Sequence, residues 1–491
     1  MSMIAMPHAD AATLRKRDPL LAGLAKAAAP GTVISELAGR RAFETDALTA
    51  YRALPLAVVL PRSTAEVARI LKYCHENRIK VVGRGAGTSL SGGALPLEDA
   101  VVIGLSRMNR VLDVSYVDRT ATVEAGITNL AISNAVASAK FFYAPDPSSQ
   151  LACTLGGNIA MNSGGAHCLK YGVTTNNVLG LKMVLMDGEV VDIGGDHLDP
   201  MGYDLLGLVV GSEGQFGLVT EATVRILRQA EGQRPMLVGF ASNEAAGACV
   251  AAIIASGTIP VALEFMDKPA IKVCENFAKA GYPLDVEAML IIEVEGTPDE
   301  IDTQLESLSA IARQFDPLTL RISQSDAESA AIWKGRKAAF GAIGRISDYY
   351  CMDGVIPLGS LPDVLKQTRE IGEKYQLQIA NIFHAGDGNL HPLILYNAND
   401  EVEKIKAEEC GADLLKLCVD AGGCLTGEHG VGIEKRDLMS YQYTEADLEQ
   451  QMRVKAAFDP RWLLNVGKVF PLDLQARFAA SIAGRPETVN G

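Results

Sequence analysis

Two periodicities alternate along this chain. Residues 1–55 carry only short helical stripes without a strong apolar core. The apolar run at 56–60 then predicts a strand, and Ser63-Thr64-Ala65-Glu66 reads as a capping box. Val67, Ile70, Leu71 and Cys74 follow at helical spacing, so a helix should lead into a strand at 79–82. Farther on, Asp187-Gly188 between two apolar runs predicts a hairpin, and a strand at 218–223 follows Gly211-Ser212-Glu213-Gly214-Gln215-Phe216-Gly217. The composition shifts at 230–235. Beyond it the order is strand 236–240, helix 243–255, strands 261–266 and 288–295, and helix 298–314. The order returns as strand 351–356, helix 360–375, strands 378–383 and 391–396, and helix 400–420. An α+β chain is expected, its second part an antiparallel sheet of two βαββα halves.

Glycines interrupt this pattern in two clusters. The strand at 79–82 runs into Gly83-Arg84-Gly85-Ala86-Gly87-Thr88-Ser89, where successive amides free of β-carbons can curl around an anion such as a diphosphate. The spacing GxGxG differs from the GxGxxG fingerprint of nicotinamide-binding domains, which it therefore does not support. A second cluster runs from Pro145-Asp146-Pro147-Ser148-Ser149 through Gly156-Gly157-Asn158-Ile159-Ala160 to Asn162-Ser163-Gly164-Gly165. Two such surfaces predict one large ligand with phosphates and a ring system.

Composition narrows the classes. With 491 residues, 48% of them apolar, the chain is too long for one core and can supply several. A net charge of −14 without a long Lys/Arg cluster excludes nucleic acid as a partner. No apolar run approaches the roughly 20 residues of a membrane span, and the N-terminus lacks the apolar stretch of an export signal. Nine cysteines without a CxxC pair predict buried free thiols, a reducing cytoplasmic compartment and no iron–sulfur cluster held by this chain.

The chemistry concentrates in His384-Ala385-Gly386-Asp387-Gly388-Asn389-Leu390-His391 and Gly427-Glu428-His429-Gly430. Three of the seven histidines and a carboxylate fall in these two glycine-flanked loops, a pattern suited to a divalent metal beside a general base. His384 and His391 are expected at the two ends of a hairpin, facing each other. Arg336 is the candidate clamp for a substrate carboxylate, because guanidinium offers a planar fork; Lys337 and Arg345 are the alternatives.

Taken together and in order, VVGRGAGTSLSGG, PDPSS, GGNIAMNSGG, GSEGQFG, HAGDGNLH and GEHG resemble the FAD-linked dehydrogenases of the vanillyl-alcohol oxidase fold. Within them the chain is most similar to the group of bacterial glycolate oxidase D subunits and D-lactate and D-2-hydroxyglutarate dehydrogenases. The resemblance implies a PCMH-type FAD-binding domain of two subdomains at 56–230 and a substrate- and metal-binding cap at 235–440. An N-terminal helical segment at 1–55 and a C-terminal segment at 441–491 that returns to the FAD domain complete the expected division. It also implies that Gly83, Arg84, Gly85, Ala86, Gly87, Thr88 and Ser89 cradle the FAD diphosphate. Pro145, Ser149, Gly156, Gly157, Ile159, Ala160, Asn162, Gly164, Gly165, Val219 and Asn465 would line the rest of the cofactor. FAD should be non-covalent, since covalent members carry a His where this chain has Gly87-Thr88. His384, His391 and Glu428 would hold zinc, manganese or iron(II), with His429 as base and Arg336 on the substrate. Further oxidase subunits, one of them carrying iron–sulfur clusters, are implied as partners, and through them attachment at the inner membrane. Where the hydroxyglutarate enzymes place a Lys and an Asn, this chain has Cys351 and Leu393, which points to a small monocarboxylate such as glycolate or D-lactate.

Each motif has a plainer reading. A glycine-flanked His can be a capped turn, Glu428 a helix-terminal charge, and Arg336 a solvated one. His8, His75, His167 and His197 are read as structural. Metal-dependent hydrolysis, or a flavin-binding scaffold subunit, are the competing functions.

Overall fold

The computed structural model describes residues 4–197 and 202–482; the ends of the two expected terminal segments, 1–3 and 483–491, lie outside the described residues. In the first part, Ala57–Val59, Ala100–Gly104 and Lys80–Arg84 form a parallel sheet, with helix Thr64–Glu76 between the first and last of them in sequence. Ser63 caps that helix by accepting the Glu66 amide. Glu66 does not close the predicted box: its carboxylate accepts the amides of Arg62 and Ala29 instead, which ties the helix to the N-terminal segment. That segment holds helices Ala11–Arg15, Arg17–Ala27 and Leu37–Arg41 and also strand Val33–Ile34, which joins the sheet edge and is too short to leave a period in the sequence.

A second sheet is antiparallel, Val111–Ser115, Thr120–Glu124, Leu218–Arg225, Val178–Val184 and Val190–Gly194 in spatial order, and its last pair is the hairpin over Asp187-Gly188. One apolar core joins both sheets. The chain near its C-terminus comes back to them: Val81 donates its amide to the Leu463 carbonyl at 2.8 Å, and the Asn465 amide returns the bond to Val81 at 2.9 Å.

Besides a two-stranded ribbon of Phe141–Phe142 and Leu227–Arg228, a large antiparallel sheet spans both halves of the second part, joined where Ala262–Asp267 pairs with Ile379–His384. It differs from two βαββα units in three places. Helix Lys268–Ala278, capped by Asp267, separates the second and third strands of the first half. The expected strand 351–356 is broken at Asp353 into Asp348–Cys351 and Gly354–Val355. Strand Thr319–Ile322 and helices Asp326–Lys337 and Ala339–Ile343 extend the first half.

Helices cover both faces of its first half, so its central strands are buried on both sides. Met236, Val238 and Phe240 pack on one face, Leu237, Met289 and Ile291 on the other. By the same alternation Glu264, Glu293 and Glu295 lie on the second face, all buried. Three carboxylates inside an apolar sheet require partners, and one partner of Glu264, His384, belongs to the site. Among the described residues no helix is long and apolar enough to cross a membrane.

Candidate active site

A cavity of about 520 Å³ lies between the two parts. One wall is Gly83, Arg84, Gly85, Ala86, Gly87, Thr88 and Ser89 with Ser149, Gly156, Gly157, Ile159, Ala160 and Val219; the other includes Lys337, Phe340, Tyr349, His391, Glu428 and His429, and Asn465 closes it from the C-terminal return. The glycine wall is a fitted surface: a β-carbon on Gly85 would stand 2.2 Å from Thr154 Oγ1, and one on Gly156 3.1 Å from the Ala125 carbonyl. Arg84 is buried beneath it, its Nη1 donating to the Thr45 carbonyl and its guanidinium over the Phe43 ring. Such a wall, backbone with a buried cation behind it, suits a phosphate-bearing cofactor.

The histidines converge on one carboxylate. Nε2 of His391, His384 and His429 lie 3.3, 3.6 and 3.7 Å from the same Glu428 oxygen. These gaps are long for hydrogen bonds, but ligand atoms around a tetrahedral ion sit roughly 3.3–3.5 Å apart when each is about 2.0–2.1 Å from it. His384, His391 and Glu428 form one group able to hold an ion; Asp353, His391 and His429 form another that shares His391. Both ring nitrogens of buried His391 lack a hydrogen-bond partner, as does Nδ1 of His429. Leaving such groups unmade costs about 1–3 kcal/mol each, and an ion on His391 Nε2 would remove one of these penalties. Glu428 is half-buried among imidazoles; loss of solvent raises its carboxyl, but His384 overrides this and brings it down to about 2. Burial pushes His429 down to about 4 despite Asp353, so its imidazole is neutral at physiological pH and can accept a proton.

Two carboxylates that sequence reasoning missed hold this cluster in place. Asp353, fully buried, accepts the amides of Gly427, Glu428 and His429 at 3.1, 3.1 and 2.9 Å and the Thr426 hydroxyl at 2.6 Å, with the Lys435 ammonium 3.4 Å away. Glu264 accepts from His384 Nδ1 at 2.7 Å and from Arg336 Nε at 2.8 Å. The available signal was an acid inside an otherwise apolar run: VALEFM for Glu264 and YYCMDGVI for Asp353.

Several expected site residues are placed elsewhere. Arg336 is not on the cavity wall; it is buried against Glu264, with Nη2 2.5 Å from that carboxylate in a geometry that makes no hydrogen bond. Lys337 reaches the wall, whereas Arg345 lies over Phe277. His384 stands behind His391, off the wall. Pro145, Asn162, Gly164 and Gly165 also leave it. Pro145 is buried, and Asn162 caps helix Leu155–Met161 in the left-handed conformation while accepting the Thr175 amide. Gly164 packs against Glu428 and Gly165 against Asp146, where β-carbons would come within 2.6 and 2.5 Å of their atoms. Cys351 and Leu393 are buried cross-strand partners, so the positions compared with the hydroxyglutarate enzymes hold an apolar pair. His167 is structural but not inert: Nδ1 meets Asp146 at 2.7 Å and Nε2 meets Glu293 of the cap sheet at 3.0 Å, while Trp333 donates to Glu293 at 2.6 Å.

Residues 229–469 match the family of FAD linked oxidases, C-terminal domain, and residues 55–194 match the FAD binding domain family. Glycolate oxidase subunit GlcD of Escherichia coli (strain K12) is 49% identical over 87% of this chain and 86% of its own length. D-lactate dehydrogenase of Archaeoglobus fulgidus is 32% identical over 87% of this chain and 94% of its own. Among solved structures, p-cresol methylhydroxylase superposes with a TM-score of 0.78 at 15% identity, covering 95% of this chain and 98% of that one, which shows the PCMH-type fold.

Proposed function

Because the chain belongs to the FAD-linked oxidases, in the group that holds glycolate oxidase D subunits and D-lactate dehydrogenases, we propose that it oxidises a small 2-hydroxy acid, glycolate or D-lactate, to the 2-oxo acid. The observation that carries this reading is a cavity whose one wall is the glycine surface and whose other wall bears His391, Glu428 and His429. When bound, FAD supplies the two-electron acceptor and a divalent zinc, manganese or iron ion the Lewis acidity that lowers the substrate hydroxyl's pKa.

The protein's own residues do the rest. His384, His391 and Glu428 hold the ion, and their imidazole and carboxylate donors suit all three metals. His429, neutral through burial, receives the hydroxyl proton as the C–H bond breaks. Lys337, which reaches the wall, is the cation placed to meet the substrate carboxylate; Arg336, buried against Glu264, would have to turn out of that pairing to do so. The apolar Cys351–Leu393 pair offers nothing to a second carboxylate, which favours monocarboxylates over hydroxyglutarate. Electrons then pass to a partner subunit or a quinone and not to NAD, since the chain lacks the nicotinamide fingerprint. In this reading the chain works inside the cell with further oxidase subunits, one bearing iron–sulfur clusters, that tether it to the inner membrane.

The test is anaerobic absorbance near 450 nm, the flavin band, as glycolate, D-lactate, L-lactate and D-2-hydroxyglutarate are added with and without chelator. Bleaching by glycolate or D-lactate that chelator prevents is the expected result. Bound flavin that no acid bleaches would leave a scaffold subunit or one that needs its partners, and bleaching untouched by chelator would remove the metal from the reaction.

A further inference from the structure

Inside strand Ala262–Asp267, between its apolar neighbours and ahead of the terminal Asp267 that caps the next helix, Glu264 lies opposite His384 in the antiparallel register with strand Ile379–His384. Facing residues of paired strands point to the same side, so the carboxylate and the imidazole meet directly. Oε1 lies 2.7 Å from His384 Nδ1 and Oε2 2.8 Å from Arg336 Nε, and Glu264 is fully buried. Nδ1–H and Nε–H are both donors. Only an acceptor-only group serves both at once, and a carboxylate is one. With its proton held on Nδ1, a neutral imidazole carries its lone pair on Nε2, the nitrogen that faces Glu428. Neither His391 nor His429 has an Nδ1 held in this way.

We propose that Glu264 is a positioning residue that fixes the tautomer of His384 for metal binding, its second oxygen held by the buried Arg336 guanidinium, so that the metal ligand and a cation behind the wall share one carboxylate. The inference rests on the metal reading given under Proposed function. Glu264→Gln is close to isosteric but presents an amide NH₂ to one of two donors, so one of the two bonds must be lost. Outer partners of metal-bound histidines are commonly worth about 10–100-fold in metal affinity.

The experiment titrates Mn²⁺ by electron paramagnetic resonance into chelator-stripped, full-length, FAD-loaded protein, alongside FAD content and the KM and kcat of the acid that bleaches the flavin. Glu264→Gln should keep its FAD and bind Mn²⁺ about 10–100-fold more weakly, so that kcat falls at subsaturating metal. Glu264→Asp keeps the charge and both acceptors, so its Mn²⁺ affinity should lie between the two; it decides the matter if the Gln variant does not fold. Wild-type Mn²⁺ affinity in a folded variant overturns the proposal while leaving the metal reading intact. A wild-type protein that binds no Mn²⁺, Zn²⁺ or Fe²⁺ overturns both.

Discussion

On the FAD-binding side of the cavity the wall is main chain, and its shape is set by what side chains are missing; on the cap side the wall is a set of ionisable side chains, and its shape is set by carboxylates lying behind it. Gly83 to Thr88 and Gly156-Gly157 need only local turn geometry and clearance from neighbours such as Thr154. The His384, His391, Glu428 and His429 cluster instead depends on Glu264 and Asp353, far away in sequence and fully buried. A main-chain wall should therefore degrade gradually, one contact at a time. The side-chain wall should fail as a unit when a carboxylate is removed, because each serves several donors in a low-dielectric setting.

The sharpest break should come at Asp353→Ala. It leaves three loop amides and the Lys435 ammonium short of their acceptor, and removing one member of a buried charged set costs about 3–5 kcal/mol. Substrate-driven flavin bleaching should be abolished and the denaturant midpoint should fall, while any protein that stays folded should still carry FAD. Loss of FAD in step with bleaching would mean that the two walls are not independent.

Gly87→Ala probes the opposite wall. Gly87 has φ +78°, where an L-residue is strained by about 1–2 kcal/mol, and its new β-carbon would stand 2.0 Å from Arg84 Nη2. Weaker FAD binding by about tenfold is expected, with Mn²⁺ affinity unchanged. An equal loss of metal would contradict the division between the walls.

The smallest effect concerns the seam between the two parts. Burial opposes charge on His167, yet Asp146 and Glu293 hold its pKa up at about 10, against an ordinary value of about 6.5. A folded pKa above the unfolded one means that this ion pair's stabilisation is complete below about pH 6.5 and is lost as pH rises through about 10. In His167→Gln the fall in Tm between pH 7 and 10 should shrink by roughly 2 °C. An unchanged difference would show that the seam does not depend on the charged imidazole.

The local features of both walls were legible from the residues alone. Glycine clusters, the hairpin with a histidine at each end and the GEHG turn are contiguous, and turn chemistry and strand period act over a few residues. Family resemblance then supplied FAD and the 2-hydroxy-acid class. The helix Lys268–Ala278 could have been found from its Asp267 cap and following proline, whereas the two-residue strand Val33–Ile34 leaves no period to detect.

What the sequence determined by itself is thus the inventory: which residues could touch a cofactor or an ion, and in which loops they sit. Tertiary structure decided the arrangement. Arg336 was read as a group facing substrate, but the sheet brings Glu264 to it across 72 residues and draws it off the wall. His384 acquires its partner across 120 residues and the GEHG turn its anchor across 74 to 76. Periodicity cannot foresee such pairs. A buried carboxylate is costly until the fold delivers donors to it, and strand register across the whole sheet, not the neighbouring sequence, determines which donors arrive.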